Sequence, residues 1–321
     1  NTGFKGSWLS LWLQSLGANV MGVALKPQRQ NDHFFSANLS EHMDCNFIDI
    51  RDYNKIQNII DSFKPEIIFH LAAQALVGAS YKDPMYTIET NMIGTLNILE
   101  ALRNYDGQCS SVFITSDKCY RNVEQMWGYR ENDLLGGDDP YSTSKAGAEL
   151  IINTYIKSFP EIFENSIAST RAGNVIGGGD WSEQRLVPDC FRALTAKEPI
   201  IIRNSNSTRP WQFVLEPLSG YLLLGEKLIS GNKGFSSGWN FGPSVGETHT
   251  VLEVAKEIIK FWGEGKIQEN SSSNKFYEST LLQLDCTKAM AKLDWKPILN
   301  FQECIEFTTN WYRYNYNNSN T

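Results

Sequence analysis

The sequence has little that would mark it for a membrane, a metal or a nucleic acid. No apolar run approaches the roughly 18 residues that a spanning helix needs, and the longest apolar stretches, Ile151-Ile152 and Tyr221 to Leu224, sit inside amphipathic patterns. Lys and Arg number 29 against 36 Asp and Glu and form no run, so the net charge is −7 and the balance argues against a general nucleic-acid partner. The six cysteines (45, 109, 119, 190, 286, 304) include no Cys-x-x-Cys, and the four histidines are dispersed. That scatter disfavours structural zinc and leaves free thiols in a reducing, cytoplasmic compartment as the simplest reading, with no metal expected. Charged residues at 20% and hydrophobic residues at 41% argue against wholesale disorder. At 321 residues the chain calls for one large domain or two fused ones.

Short apolar runs alternate with helical patterns through the first 170 residues. Asn19 to Leu25, Glu66 to Leu71, Ser111 to Thr115 and Ser166 to Ser169 read as strands, with a further strand over Cys45-Asn46-Phe47. Ser7 to Leu16, Tyr53 to Phe63, Asn91 to Asn104 and Ser142 to Lys157 read as amphipathic helices, and Gly17 suits a helix stop. Strands buried on both faces and separated by helices predict an α/β fold, a Rossmann-type doubly wound parallel sheet. After Gly173 the elements shorten and Pro, Asn and Ser become more frequent, as in a smaller, loop-rich second part.

Thr2-Gly3-Phe4-Lys5-Gly6-Ser7 holds the last two glycines of a Gly-x-x-Gly-x-x-Gly turn opening a helix. Glycines there let backbone approach a pyrophosphate, whose charge rests on the helix N-terminus. Gly3, Phe4, Lys5 and Gly6 are therefore candidate dinucleotide contacts. Such a turn follows a strand, so the expectation is that the sequence begins inside the motif, without its first strand and first glycine. A lone Gly-x-x-Gly is also compatible with an ordinary helix cap. Three further features favour the nucleotide: Asp49-Ile50 at a strand end, suited to an adenine; Leu71-Ala72-Ala73-Gln74, small residues where a dinucleotide backbone must pass; and Asn91, opening a helix at the same edge. Where NAD-binding folds place an acid after the second strand, this chain has Lys26-Pro27-Gln28-Arg29. That segment is either a solvated loop or a site for the 2′-phosphate of NADP.

Tyr141 and Lys145 form a Tyr-x-x-x-Lys pair on one helical face. With 13 tyrosines the pairing alone carries little weight. Its significance comes from Thr115-Ser116-Asp117-Lys118, directly after a central strand, where polar side chains face the ligand crevice. Without the tyrosine–lysine pair, Ser116-Asp117 would read as a turn or helix cap. The charge of Lys145 is expected to lower the Tyr141 pKa, making the phenolate a base for a sugar hydroxyl while hydride leaves for a nicotinamide. Thr115 or Ser116 would hold the same hydroxyl. Asp117 and Lys118 add an acid–base pair that simple dehydrogenation does not require, which points to elimination.

The segments Thr2 to Leu9, Ser116 to Lys118, Tyr141 to Lys145, Arg171 to Trp181 and Arg209-Pro210-Trp211-Gln212 resemble the extended short-chain dehydrogenases/reductases, and within them the nucleotide-sugar 4,6-dehydratases. The resemblance runs over nearly the whole chain. It implies NAD as cofactor, a CDP-linked glucose as substrate, and a soluble homodimer formed through a helix pair that includes Ser142 to Lys157. It implies oxidation at C4, loss of water across C5–C6 with Asp117 as the acid and Lys118 in the place of the base, and return of hydride to C6. Related dTDP-sugar dehydratases carry Asp-Glu where this chain has Asp117-Lys118. Arg171 falls on the cofactor side, while Asn174, Trp181, Arg185, Arg203, Arg209 and Glu278 fall on the nucleotide-sugar side, where bidentate arginine contacts suit a diphosphate. Individually, such arginines also occur as surface ion pairs and such tryptophans as core. The expected division is an NAD-binding part over 1–172 with 209–242 returning to it, and a nucleotide-sugar part over 173–208 and 243–321.

Overall fold

The computed structural model describes residues 1–244, 246–270 and 281–319. The first part alternates helix and strand: α1 (Phe4–Ser15), β1 (Met21–Ala24), β2 (Asp44–Phe47), α2 (Tyr53–Phe63), β3 (Ile67–His70), α3 (Gly94–Arg103), β4 (Ser110–Ile114), α4 (Pro140–Ser158) and β5 (Ile167–Arg171). The second part carries β6 (Val175–Ile176), α5 (Leu186–Thr195), β7 (Ile200–Ile202), β8 (Gln212–Phe213), α6 (Leu215–Ile229), β9 (Gly238–Asn240), α7 (Val251–Trp262), β10 (Ile267–Glu269) and α8 (Phe301–Ser319).

The main sheet is parallel, in the order β9-β5-β4-β3, with Ile67 opposite Ser110, Ser111 opposite Ile167 and Gly238 opposite Ser169. β1 and β2 form a separate parallel pair that, among the described residues, is not hydrogen-bonded to a strand of the main sheet. β4 and β5 are buried along their whole length, as strands covered by helices on both faces must be. One core, with Ile56, Ile60, Leu99, Phe113, Ile152 and Ile167, lies under α2, α3 and α4. The other joins Val112, Ala168, Leu218, Tyr221, Leu224 and Trp239 to Phe191 and Tyr312 of the second part. Through α6 and β9 the chain returns to the sheet it left. This is the expected α/β architecture.

Element boundaries differ from the sequence expectation where local chemistry is specific. α1 begins at Phe4 rather than Ser7, because Gly3 in extended backbone is its N-cap. The expected helix from Asn91 opens with a π-helical turn, Glu89–Ile93, before α3. Gly17 does end α1's region, in the left-handed conformation at φ 83°, which glycine adopts without strain.

Candidate active site

The site is built on two caps. Asp139 is the N-cap of α4, its Oδ1 accepting from the backbone N–H of Tyr141 at 2.9 Å and of Ser142 at 3.0 Å, with Pro140 in the first turn. This fixes the first turns of the helix that carries Tyr141 and Lys145, both almost fully buried. Just beyond β4, Ser116 caps a single 3₁₀ turn, Asp117–Cys119, its Oγ accepting from Lys118 N–H at 3.2 Å and donating to Asp117 Oδ1 at 2.9 Å. The Asp117 carboxylate lies against Gly173, where an added Cβ would stand 1.9 Å from Oδ2. A missing side chain on one strand end thus makes room for the acid on the next.

Burial pushes the Tyr141 phenol up to about 12; a hydrogen bond with Ser116 and the charge of Arg185 pull it down, while Asp117 and Asp139 push it further up. Lys145 is not among the largest of these effects. Its amine instead donates to the carbonyl of Ile114 at 3.3 Å, and burial lowers it to about 8 against the opposing effects of Cys119 and Glu149.

A cleft of about 990 Å³ runs from the N-terminus of α1 past the ends of β1, β3 and β4 to the second part. One side is lined by Thr115, Ser116, Asp117, Lys118, Tyr141 and Lys145. Gly3, Phe4, Lys5 and Gly6 also line the cleft, as do Asp49, Ile50, Leu71, Ala72 and Ala73. No side chain caps the N-terminus of α1, and a Cβ on Gly3 would meet nothing within 4 Å. Open first-turn amides beside an open cleft fit a pyrophosphate. Asp49 also holds Arg51, which bonds both its oxygens at 2.8–3.1 Å. Asn174, Arg185, Arg203 and Arg209 line the end formed by the second part, joined by Trp211. Arg185 is steadied by Asp180 at 2.9 Å, and Asn174 adopts the left-handed conformation at φ 48°.

Several expected residues stand outside the cleft wall. Gln74 and Asn91 clamp each other: Gln74 N–H donates to Asn91 Oδ1 at 2.8 Å, and Asn91 Nδ2 donates to Gln74 O at 3.0 Å and to Ser144 Oγ at 2.8 Å. They tie the Ala-Ala turn to the catalytic helix. Arg171 points into the protein, bonding Glu149 at 2.8 Å, the Tyr120 hydroxyl at 2.6 Å and the Glu131 carbonyl at 3.0 Å. Trp181 packs edge-on against Tyr312, 5.1 Å between centroids. Lys26 and Arg29, considered for a 2′-phosphate, are not part of the cleft wall either. Glu278 lies outside the described residues. The sequence reading missed Glu149 and Gly173. Glu149 stands four residues after Lys145 on the same helical face, and that spacing was its only signal. Gly173 was inside a matched segment, but only the fold sets it against Asp117.

A parallel doubly wound sheet, a glycine turn at a helix N-terminus and a Tyr-x-x-x-Lys helix beside a polar strand end define an extended short-chain dehydrogenase/reductase. A family model described as GDP-mannose 4,6 dehydratase matches residues 1–308, and the chain belongs to that family. It is 45% identical over 318 residues to the CDP-glucose 4,6-dehydratase of Salmonella typhimurium (98% of this chain, 89% of the relative). It is 26% identical to the dTDP-glucose 4,6-dehydratase of Haemophilus influenzae (85% and 83%). Among solved structures, the UDP-glucose 4-epimerase of Thermotoga maritima with UDP-glucose superposes with a TM-score of 0.84 at 24% identity (98% and 97%). The dTDP-glucose 4,6-dehydratase of Bacillus anthracis with NAD superposes with a TM-score of 0.81 at 21% identity (98% and 94%). Both structures share the fold of this chain.

Proposed function

We propose that this chain converts CDP-glucose to CDP-4-keto-6-deoxyglucose and water, with NAD as its cofactor. The observation that carries the reading is the buried Asp117 carboxylate beside Tyr141, followed by Lys118 on the same cleft wall. A 4-epimerase needs the tyrosine and the dinucleotide but has no use for an acid–base pair at C5 and C6. The 45% identity to a CDP-glucose dehydratase supports the choice of nucleotide.

Gly3, Phe4, Lys5 and Gly6 would hold the pyrophosphate of NAD, and Asp49 with Ile50 its adenosine end. NAD, when bound, accepts hydride from C4 of the hexose and returns it to C6. Tyr141 and Ser116 hold the C4 hydroxyl and draw off its proton. With C4 a ketone, the C5 proton becomes acidic and passes to Lys118, while Asp117 protonates the departing C6 hydroxyl. Asn174, Arg185, Arg203 and Arg209 hold the diphosphate and the nucleoside. The chain divides into an NAD-binding part over 1–172 with 209–242, and a nucleotide-sugar part over 173–208 and 243–321.

Finer assignments belong to the same reading. The enzyme works as a cytoplasmic homodimer and feeds deoxysugar assembly, such as that of lipopolysaccharide O-antigen. The apolar side chains Met85, Ile93 and Leu150, exposed on and beside α4, offer the pairing face. Sedimentation at micromolar concentration checks the dimer.

Mass spectrometry of a CDP-, dTDP-, UDP- and GDP-glucose panel incubated with enzyme and NAD tests the activity. Loss of one water from CDP-glucose alone is expected. Unchanged mass with altered sugar stereochemistry would move the assignment to an epimerase, and no reaction with any substrate would point to a dinucleotide-binding sensor.

A further inference from the structure

Taking the proposed reaction as its basis, the two halves of its chemistry stand on different supports. Tyr141, which works at C4, rides on the 19-residue helix α4, fixed at its start by the Asp139 cap. Asp117 and Lys118, which work at C6 and C5, stand on the three-residue turn Asp117–Cys119. That turn closes with two backbone bonds, Cys119 N–H to Ser116 O at 3.1 Å and Tyr120 N–H to Asp117 O at 3.3 Å. A single helical turn is not self-sustaining, because nucleation fixes several residues for very few bonds. The structure around the turn must hold it in place.

Tyr120, the next residue, ties the turn to the sheet. Its side chain is fully buried, and its hydroxyl accepts from Arg171 Nη1 at 2.6 Å and donates to Asn240 Oδ1 at 2.8 Å. Arg171 and Asn240 are the last residues of β5 and β9 and stand opposite each other in the parallel register. One hydroxyl, with both its donor and its acceptor engaged, thus joins a turn at the end of β4 to the ends of two other strands. The ring is pinned as well, stacked on Tyr129 at 5.3 Å and 18°, with the Arg171 guanidinium 4.9 Å from its centroid. Both partners are themselves anchored. Arg171 holds Glu149 at 2.8 Å and the Glu131 carbonyl at 3.0 Å, while Asn240 Nδ2 donates to the carbonyls of Tyr129 at 2.8 Å and Asp285 at 3.1 Å. Among the described residues no other donor reaches Asn240 Oδ1, and no hydrogen bond of Tyr120 goes to Tyr141 or Asp139.

We propose that Tyr120 is the positioning residue of the elimination step: it sets Asp117 and Lys118 against C6 and C5 and has no part in oxidation at C4. An acid and a base that serve neighbouring carbons tolerate little displacement, and a shift of about 1 Å costs on the order of 10²-fold. Without the hydroxyl, Asn240 Oδ1 is left buried with no donor and Arg171 loses an acceptor, so the strand ends no longer grip the turn. What remains is the Ser116 cap on one side and, on the other, one bond from Gly136 N–H to Cys119 O at 2.9 Å, out of the loop before α4. Tyr141 keeps its own support on α4.

Tyr120→Phe keeps the ring and removes only the hydroxyl, and the test reads the two steps separately. On rapid mixing of the NAD-loaded variant with CDP-glucose, reduced-nicotinamide absorbance is expected to build up at the unaltered rate. Product should form roughly 10- to 10²-fold more slowly, counted per bound NAD, with KM within about twofold. Asn240→Ala removes the acceptor of the same bond and leaves Tyr120 whole; the same pattern is expected, and it carries the test should the phenylalanine variant not fold. A lower unfolding midpoint with unchanged turnover per bound NAD would make the bond purely structural and overturn the proposal. Slower product with no build-up of absorbance would place the effect on C4 oxidation and overturn it too, as would failure of both variants to bind NAD. In each of these cases water loss from CDP-glucose by the unaltered enzyme leaves the dehydratase reading standing; absence of that water loss would remove the reading itself.

Discussion

Glu149 Oε2 stands 2.8 Å from Arg171 Nη2 with both side chains buried, joining α4 to β5 one helical turn beyond Lys145. The other contacts of that carboxylate are the hydroxyls of Thr115 at 2.5 Å and Ser169 at 2.7 Å. One buried acid thus ties the catalytic helix to the two central strands, including the strand end that carries Ser116 and Asp117. Glu149→Gln leaves Arg171 buried without its counter-charge and is expected to cost about 3–5 kcal/mol of stability. Chemical denaturation checks this, and an unfolding midpoint within error of the unaltered protein would contradict it.

The same carboxylate makes the protein acid-sensitive. Burial alone would raise its pKa, but the charge of Arg171 and the bonds from Arg171, Thr115 and Ser169 more than offset this and hold it below its usual value. A depressed folded-state pKa contributes stability that is present above the unfolded value of about 4.3 and is lost as pH falls further. His33 and His70 act at a higher pH. Burial lowers them to about 4 and about 3, Lys145 adding to the effect at His70. Below about 6.5 the unfolded imidazoles take protons that the folded ones refuse, so stability falls by roughly 1.4 kcal/mol per pH unit for each. Denaturant midpoints measured from pH 7.5 to 4.5 should decline steadily; a flat profile would show that neither histidine stays neutral.

Gly173→Ala should be an active-site lesion without being a fold lesion. The new methyl group must displace the Asp117 carboxylate, a short side chain hinged at one bond, rather than backbone. Turnover is expected to fall by roughly 10²-fold, the lower range for losing a positioned acid, with little change in unfolding temperature.

Asp117→Asn and Tyr141→Phe should fail at different steps. The asparagine variant can still oxidise C4 but cannot protonate the leaving hydroxyl, so reduced nicotinamide absorbance should build up on mixing with CDP-glucose while product formation falls roughly 10²–10⁴-fold. The phenylalanine variant should bind substrate and show no such absorbance. Equal accumulation in both variants would mean that the roles are misassigned.

At Lys118, replacement by Glu puts a carboxylate where the proposed C5 base stands. If lysine chemistry is needed at C5, exchange of the C5 hydrogen with solvent deuterium should slow markedly, as NMR would read out. Undiminished exchange would show that the pocket needs only a base at that position.

The alternation of short runs rich in apolar residues with amphipathic helices was enough to read the parallel sheet, because strands covered on both faces are largely apolar even though β4 and β5 also bury serine, threonine and arginine. The glycine turn, the tyrosine–lysine pair and Ser116-Asp117-Lys118 were legible for a similar reason: helical spacing and position at a strand end are local properties. Arg171 shows where such reading stops. In a row of residues it is a cation near a nucleotide motif; in the fold it faces Glu149, 22 positions earlier and on another element. The Tyr141–Lys145 pair gives the same lesson in electrostatics, since spacing put both on one face but burial is the largest influence on the proton affinity of each. Sequence alone determined which chemical groups the protein has and which elements carry them. Only the tertiary structure decided which of them meet, because the contact of Gly173 with Asp117 and the Glu149–Arg171 pair both join segments that no local periodicity connects.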